Sequence, residues 1–319
     1  MRRRDFIKVI AGVAATWPLT ARAQQTKVVG ALSVGNADAD AFRTELREEM
    51  RKAGYVEGQN LRFEFRSAQE KLDRLPGLAA ELVALKVDVI VAIYTPCALA
   101  AQQATRDIPI VVVAGDLLGV GLVPSLSRPG GNITGVSLMA AELHGKCVEL
   151  LRDMLPSVRR VAALANSSDP FSKLFVEQFQ VIGRTTGVEI APATMVRTPD
   201  EIDAAFTTMK DEGTDAVVVQ GSLASKNVAE LALKHRLATA TVPRSFAEYG
   251  GLLSYGADGP DSFRKSASFV IKILQGSKPA NMPVEQPTKF ELVVNLKTAK
   301  ALDLTISEAF LSRADELIE

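Results

Sequence analysis

From Lys27 onward, short β-branched apolar runs alternate with longer stretches whose apolar residues recur at helical spacing. VVGALSV (28–34) precedes AFRTELREEMRKAGY (41–55), in which Phe42, Leu46 and Met50 return every fourth position with charges between them, as on a half-buried helix. LRFEFR (61–66), LPGLAAELVAL (75–85), VDVIVAI (87–93), the ALAAQQA stretch and IPIVVV (108–113) continue the strand–helix alternation. Parallel strands need crossovers, and helices supply them, so this order predicts a doubly wound parallel sheet.

After ITGVSL (133–138) the pattern begins again. RRVAALA (159–165), a helix from about Phe171 to Thr186, VEIAPATM (188–195), a helix from about Pro199 to Asp211, TDAVVVQ (214–220), a helix around Lys226 to His235 and ATATVP (238–243) form a second set. Four segments are then left over: GGLLSYG (250–256), a helix at about Ser262 to Leu274, FELVVNL (290–296) and a last helix near Ser307 to Leu317. The economical placement has them cross between two similar α/β lobes, and several crossings make a hinge.

In open parallel sheets ligands bind beyond the carboxyl ends of the strands, where helix N-termini also point. The polar residues just past each strand are therefore the candidates: Ser33, Asn36, Thr95, Cys97 and Asp116 in the first half, and Asn166 to Ser168, Gln220, Ser222, Arg244 and Ser245 in the second. The aromatic residues near strand ends, Tyr94, Phe171, Phe246, Tyr249 and Tyr255, are able to sandwich a flat ligand, with core packing the better reading for at least half of them and Tyr255 kept among the site residues. Most of the set are short neutral donors and acceptors, which suit a small polar ligand better than acid–base chemistry. Thr95-Pro96 and Asp169-Pro170 each place a capping group before a proline, leaving first-turn amides such as those of Cys97 and Ala98 for an anion. A cap that serves only its own helix is an equal reading of Thr95, and an N-cap or Asx-turn a slightly better one of Asp116. Cys97 as a nucleophile would need a base, and His144 and His235 both fall inside amphipathic helical stretches. Neither a metal-ligand spacing nor a phosphate-binding glycine loop is present in the sequence, so no metal or cofactor is expected.

Lysine plus arginine balance aspartate plus glutamate at 37 each, which argues against nucleic acid or a polybasic membrane surface as partner. The balance changes when the first 23 residues are set apart. MRRRDFIK is basic, VIAGVAATWPL is too short to span a bilayer, and Ala21-Arg22-Ala23 is a small-x-small cleavage site, so 1–23 reads as an export signal. Arg3-Arg4-Asp5-Phe6-Ile7-Lys8 is similar to a twin-arginine leader, with an ordinary secretory signal as the alternative. Its loss removes five basic residues against Asp5 and leaves a net acidic chain, expected in the periplasm. Two cysteines are too few for a disulfide framework, and spacing does not decide whether Cys97 and Cys147 pair.

Several stretches together resemble the substrate-binding proteins of tryptophan/tyrosine-type ABC uptake systems: the leader RRRDFIK, FRTELREEMRKAGYVEGQNLRFEFR, AAELVALKVDVIVAIYTPCALAAQQATRDIPIVVV, SLSRPGGNITGVS, GGLLSYGAD and QPTKFELVVNLKTAKALDLTI. The resemblance runs nearly end to end and implies a type I periplasmic binding protein fold. It places one lobe at 27–137 plus about 257–286 and the other at 138–256 plus about 287–319. It further implies a small, carboxylate-bearing, amino-acid-like or aromatic ligand held between closing lobes, delivery to an inner-membrane ABC permease with its ATPase, and a monomer without catalytic activity. Strand-end positions carried over from the family fall on Asn36, Thr95, Asp116, Asn166 to Ser168, Gln220 and Ser245, with departures at Cys97 and at Asp116-Leu117. The alternatives are an exported α/β enzyme using Cys97 or Asp116, and the same binding module feeding a sensor.

Overall fold

The computed structural model describes residues 26–35 and 38–319. The leader and Asn36 lie outside them. The first half builds β1 (Lys27–Ser33), α1 (Asp38–Lys52), β2 (Leu61–Ser67), α2 (Leu75–Ala84), β3 (Val89–Ile93), α3 (Thr95–Ala104), β4 (Ile110–Ala114) and β5 (Ile133–Ser137). Its five strands are all parallel, in the order β2-β1-β3-β4-β5. β3 and β4 are buried along their whole length, the state of strands covered on both faces.

The second half follows with α4 (Ala140–Met154), β6 (Arg160–Asn166), α5 (Ser172–Thr186), β7 (Glu189–Ile190), β8 (Thr194–Val196), α6 (Ile202–Asp211), β9 (Ala216–Val219), α7 (Lys226–Lys234), β10 (Ala238–Thr241), α8 (Arg244–Glu248) and β11 (Leu253–Ala257). It ends with α9 (Gly259–Leu274), β12 (Phe290–Asn295), α10 (Leu296–Ala301), α11 (Glu308–Leu311) and β13 (Glu316–Ile318). The second sheet runs β13-β12-β11-β10-β9-β6-β7, with β8 also on β6. Each sheet has apolar clusters on its two faces, so each lobe is a three-layer sandwich.

Where the structure differs from the sequence pattern, the reasons are local. The run 188–195 is broken into β7 and β8 at Pro192, which has no N–H for the ladder. The expected last helix shortens to α11, because Asp315 turns the chain onto the open edge of β12: its amide donates to the Leu292 carbonyl and its carboxylate accepts from the Leu292 amide. β12 runs antiparallel to β11 within an otherwise parallel core. Its direction follows from the excursion between them, since the chain leaves the second sheet after β11, packs α9 against α1, β4 and β5 of the first, and re-enters from the cleft side.

Three chain crossings thus join the lobes, and they lie side by side. The Ser137 amide donates to the Glu285 carbonyl at 2.9 Å, the Glu285 amide to Gly135 at 2.9 Å, and the Asp258 amide to Lys289 at 3.2 Å. A few loop or element-terminal residues, as in these crossings, are the usual form of a hinge.

Candidate functional site

The carboxyl ends of both sheets face one another across a cavity of about 160 Å³. Ile93, Tyr94, Thr95 and Val113 line it from the first sheet, Asp169, Phe171, Ser222 and Ser245 from the second, and Ala257, Pro260 and Phe263 from the α9 crossing. A cavity of about 150 Å³ accommodates a benzene-sized guest, so this one has room for a small ring-bearing solute.

Tyr94 is the pivot of the first wall. It sits between β3 and α3 with φ 71° and ψ 155°, a region nearly reserved for glycine that costs about 1–3 kcal/mol in other residues. The strained backbone aims its hydroxyl at Asp38, in the first turn of α1, where it donates to Oδ2 at 2.6 Å. From the opposite lobe Ser245 Oγ donates to Asp38 Oδ1 at 2.5 Å. One half-buried carboxylate thereby ties the two lobes. Burial raises its pKa, the Ser245 and Tyr94 bonds pull it down, and the charge of Glu248 adds to the rise. A second link joins the lobes at the rim, where Glu70 is hydrogen-bonded to Ser225.

Asp169 forms the facing wall and is 4% exposed. Its Oδ1 accepts from the Phe171 amide at 3.0 Å, and its Oδ2 from Gln220 Nε2 at 2.8 Å and Ser222 Oγ at 2.7 Å. Burial pushes the carboxyl up to about 6 in spite of these bonds. Gln220 is fixed in turn, its Oε1 accepting from the Asn166 amide and from Ser172 Oγ.

His144, on α4, lines the same cavity between the rings of Phe171 and Phe175, the latter edge-on at 4.8 Å. Its Nδ1 lies 2.5 Å from the Ala140 carbonyl, and a carbonyl only accepts, so Nδ1 carries the proton. Nε2 makes no hydrogen bond of ordinary geometry among the described residues, and the Val219 carbonyl is a second, weaker neighbour of the ring. Burial lowers the imidazole to about 4, against the pull of the Ala140 and Val219 carbonyls, and keeps the ring neutral.

Arg244 is the sole Lys or Arg among the described residues lining the cavity. Its guanidinium is held by three carboxylates: Glu248 at 2.9 Å, Glu291 at 3.2 Å and Glu316 at 2.6 Å. Partial burial would lower its pKa, but those bonds outweigh it and hold the group above its ordinary value.

Of the residues singled out from sequence, Tyr94, Thr95, Asp169, Phe171, Ser222, Arg244 and Ser245 line the cavity. Asn166 and Gln220 lie behind the wall, in the network that positions Asp169. Ser167 is exposed, and its amide and hydroxyl both donate to the Val196 carbonyl. Asp116 closes a turn on the Gly119 amide at 2.9 Å, and Tyr255 stacks on Phe290 within the second sheet. Cys97 packs into the first lobe's core with its thiol pushed well up by burial and by the charge of Asp169. Both cysteines are free, in separate cores. Thr95 does not cap α3: Tyr94 holds the N-cap position, and the Ala98 amide donates to the Tyr94 carbonyl. Asp38 and His144 were missed. Asp38 reads as an ordinary acidic first-turn residue, and only its place just after β1 marks it.

The chain is 28% identical over 258 residues to the tyrosine-binding protein of Clostridioides difficile, covering 79% of this chain and 73% of that one. Its structure is similar to that of an ABC domain in complex with L-Trp from Streptococcus pneumonia, with TM-score 0.83, 28% identity, and 92% and 100% of the two chains covered. A ligand-free, open substrate binding protein with adhesive properties from Clostridium difficile matches with TM-score 0.64 at 26% identity, covering 92% and 99%. With a two-lobed fold of the type I periplasmic binding protein kind, a cavity at the lobe interface, and a family profile that matches residues 30–318, the chain belongs to the ABC transporter substrate binding protein family.

Proposed function

We propose that the protein is the periplasmic receptor of an ABC importer and binds an aromatic, amino-acid-like solute between its lobes. The carrying observation is the enclosed cavity with aromatic walls from both sides, Tyr94 and Phe263 facing Phe171, drawn together by the Asp38–Ser245 bond. Solute bridging the two walls would favour the closed form, which an inner-membrane permease and its ATPase would then engage. In this reading lobe 1 comprises 27–137 plus about 257–286, lobe 2 comprises 138–256 plus about 287–319, and residues 1–23 direct export. The higher similarity to the L-Trp complex than to the open structure, at comparable identity, supports a closed arrangement.

The role is binding rather than catalysis. A cysteine enzyme would need a thiolate at Cys97, and burial there favours the thiol. The test is equilibrium binding of L-tyrosine and L-tryptophan to the mature protein, with small-angle scattering to follow compaction. Saturable binding with compaction is expected; absence of binding by any ring-bearing compound overturns the reading.

A further inference from the structure

We propose that the open edge of β2 is a self-pairing surface, to which a second copy of this chain adds its own β2 antiparallel about a two-fold axis at Phe65. Two five-stranded sheets then join into one. The inference goes beyond the solute reading above and does not rest on it, and it stands in place of the monomer that the family resemblance implied.

β2 ends its sheet, with β1 on one side and no strand on the other among the described residues. Along a paired strand, alternate residues turn their backbone groups toward the neighbour and away from it. The Lys27 amide donates to the Asn60 carbonyl and the Ala68 amide to the Ser33 carbonyl, so even-numbered residues of β2 face β1 and odd-numbered ones face outward. Leu61 is already engaged there, its amide donating to Val56 and its carbonyl accepting from Gly58. Phe63, Phe65 and Ser67 are not: their amides have no acceptor among the described residues, and the Phe65 carbonyl, which has two lone pairs, accepts from Arg66 Nη1 alone. Sheet edges are usually guarded by shortness, proline, a bulge or charge. β2 is seven residues long, LRFEFRS, with no proline or glycine. Charge is the protection that remains, and its order decides the partner.

Outward residues must oppose outward residues, so the dyad of an antiparallel pair falls on a residue of β2, and each choice opposes different charges. A dyad at Phe63 calls on the engaged groups of Leu61. One at Glu64 sets Glu64 against itself and Arg62 against the partner's Arg66, and one at Arg66 sets Arg66 against itself; like charges directly opposite destabilise a pair. A dyad at Phe65 opposes Glu64 to the partner's Arg66, and Arg66 to the partner's Glu64, on one face of the joined sheet. It also opposes Phe65 to its own copy and Phe63 to the partner's Ser67, giving about six main-chain bonds at two per hydrogen-bonded pair. On the other face Phe63 and Phe65 stack at 5.4 Å, and Arg43 and Arg47, which lie over Phe65 at 5.2 and 4.8 Å, are already paired with Asp40 and Glu57. Those guanidiniums bring no unbalanced charge to the dyad.

The test is sedimentation equilibrium of the mature protein from micromolar to millimolar concentration. A reversible monomer–dimer equilibrium is expected, and a monomer throughout overturns the proposal. Glu64→Arg is expected to weaken the dimer at least about tenfold, and Glu64→Arg with Arg66→Glu, which restores the opposed charges in reverse order, to recover it. A dimer indifferent to Glu64→Arg, or not recovered by the double exchange, overturns the register and with it the proposal. Should either variant fail to fold, hydrogen exchange on the wild-type chain carries the test. The Phe63, Phe65 and Ser67 amides are expected to exchange at least about tenfold more slowly at concentrations where the dimer forms than on dilution. Exchange at these amides that is independent of concentration overturns the proposal.

Discussion

Asp169 and His144 share one cavity and titrate in opposite senses. Between the ordinary carboxylate value of 3.8 and about 6, the folded chain holds a proton on Asp169 that the unfolded chain has released, so stability falls as pH rises through that window. Between about 4 and the ordinary imidazole value of 6.5, the unfolded chain protonates this histidine while the folded chain does not, so stability rises with pH. Each contribution is about 3 kcal/mol at full extent, from about 1.4 kcal/mol per pH unit, and the two nearly cancel near pH 5. His144→Gln is therefore expected to become more stable relative to wild type as pH is lowered from 6.5 to 4. Asp169→Asn is expected to lose relative stability over pH 6 to 4. Urea denaturation at a series of pH values reads both slopes, and parallel pH profiles for wild type and His144→Gln would refute the assignment.

At the scale of elements, α1 and α9 are fastened by Phe42 and Phe263, whose rings meet edge-on at 5.6 Å. Phe42 is only 1% exposed, and α1 begins with Asp38, so the same contact that seals the first lobe's core also steadies the carboxylate at the cleft. Phe42→Ala is expected to cost about 3–5 kcal/mol in denaturant unfolding and to weaken solute binding beyond what Tm alone accounts for. The helical spacing of Phe42, Leu46 and Met50 made α1 legible in the sequence, as β-branched runs did for β3, β4 and β9. What the pattern did not reveal was pairing. β12 looks like any buried strand, and its antiparallel direction arises from the route of α9 through the other lobe, which no local periodicity encodes.

At the scale of the whole molecule, the two lobes meet where small residues leave room. A Cβ on Gly115, at the end of β4, would lie 3.0 Å from Phe171 Cε2 and 3.1 Å from Ala140 Cβ. Gly115→Val is expected to leave each lobe folded while obstructing closure. Overpacking of this kind costs about 1–3 kcal/mol, so affinity should fall at least about fivefold, with scattering showing a less compact complex. Strand-end reasoning located the cleft and found Thr95, Ser222, Arg244 and Ser245, because topology alone sets where loops converge. It could not separate side chains that face the solute from those that hold them: Gln220 and Asn166 sit at strand ends as expected, yet their hydrogen bonds are turned inward to Asp169. Asp38 escaped notice because its partners, Tyr94 and Ser245, are 56 and 207 residues away.

The Arg244–Glu316 bond gives the far end of the chain a say in what the cavity admits. β13 holds the guanidinium from behind through its first residue, three positions before the C-terminus. Anything that pulls this strand from the sheet edge, such as an affinity tag fused there, would take away one of the three carboxylates that hold the guanidinium and leave its charge freer at the cleft.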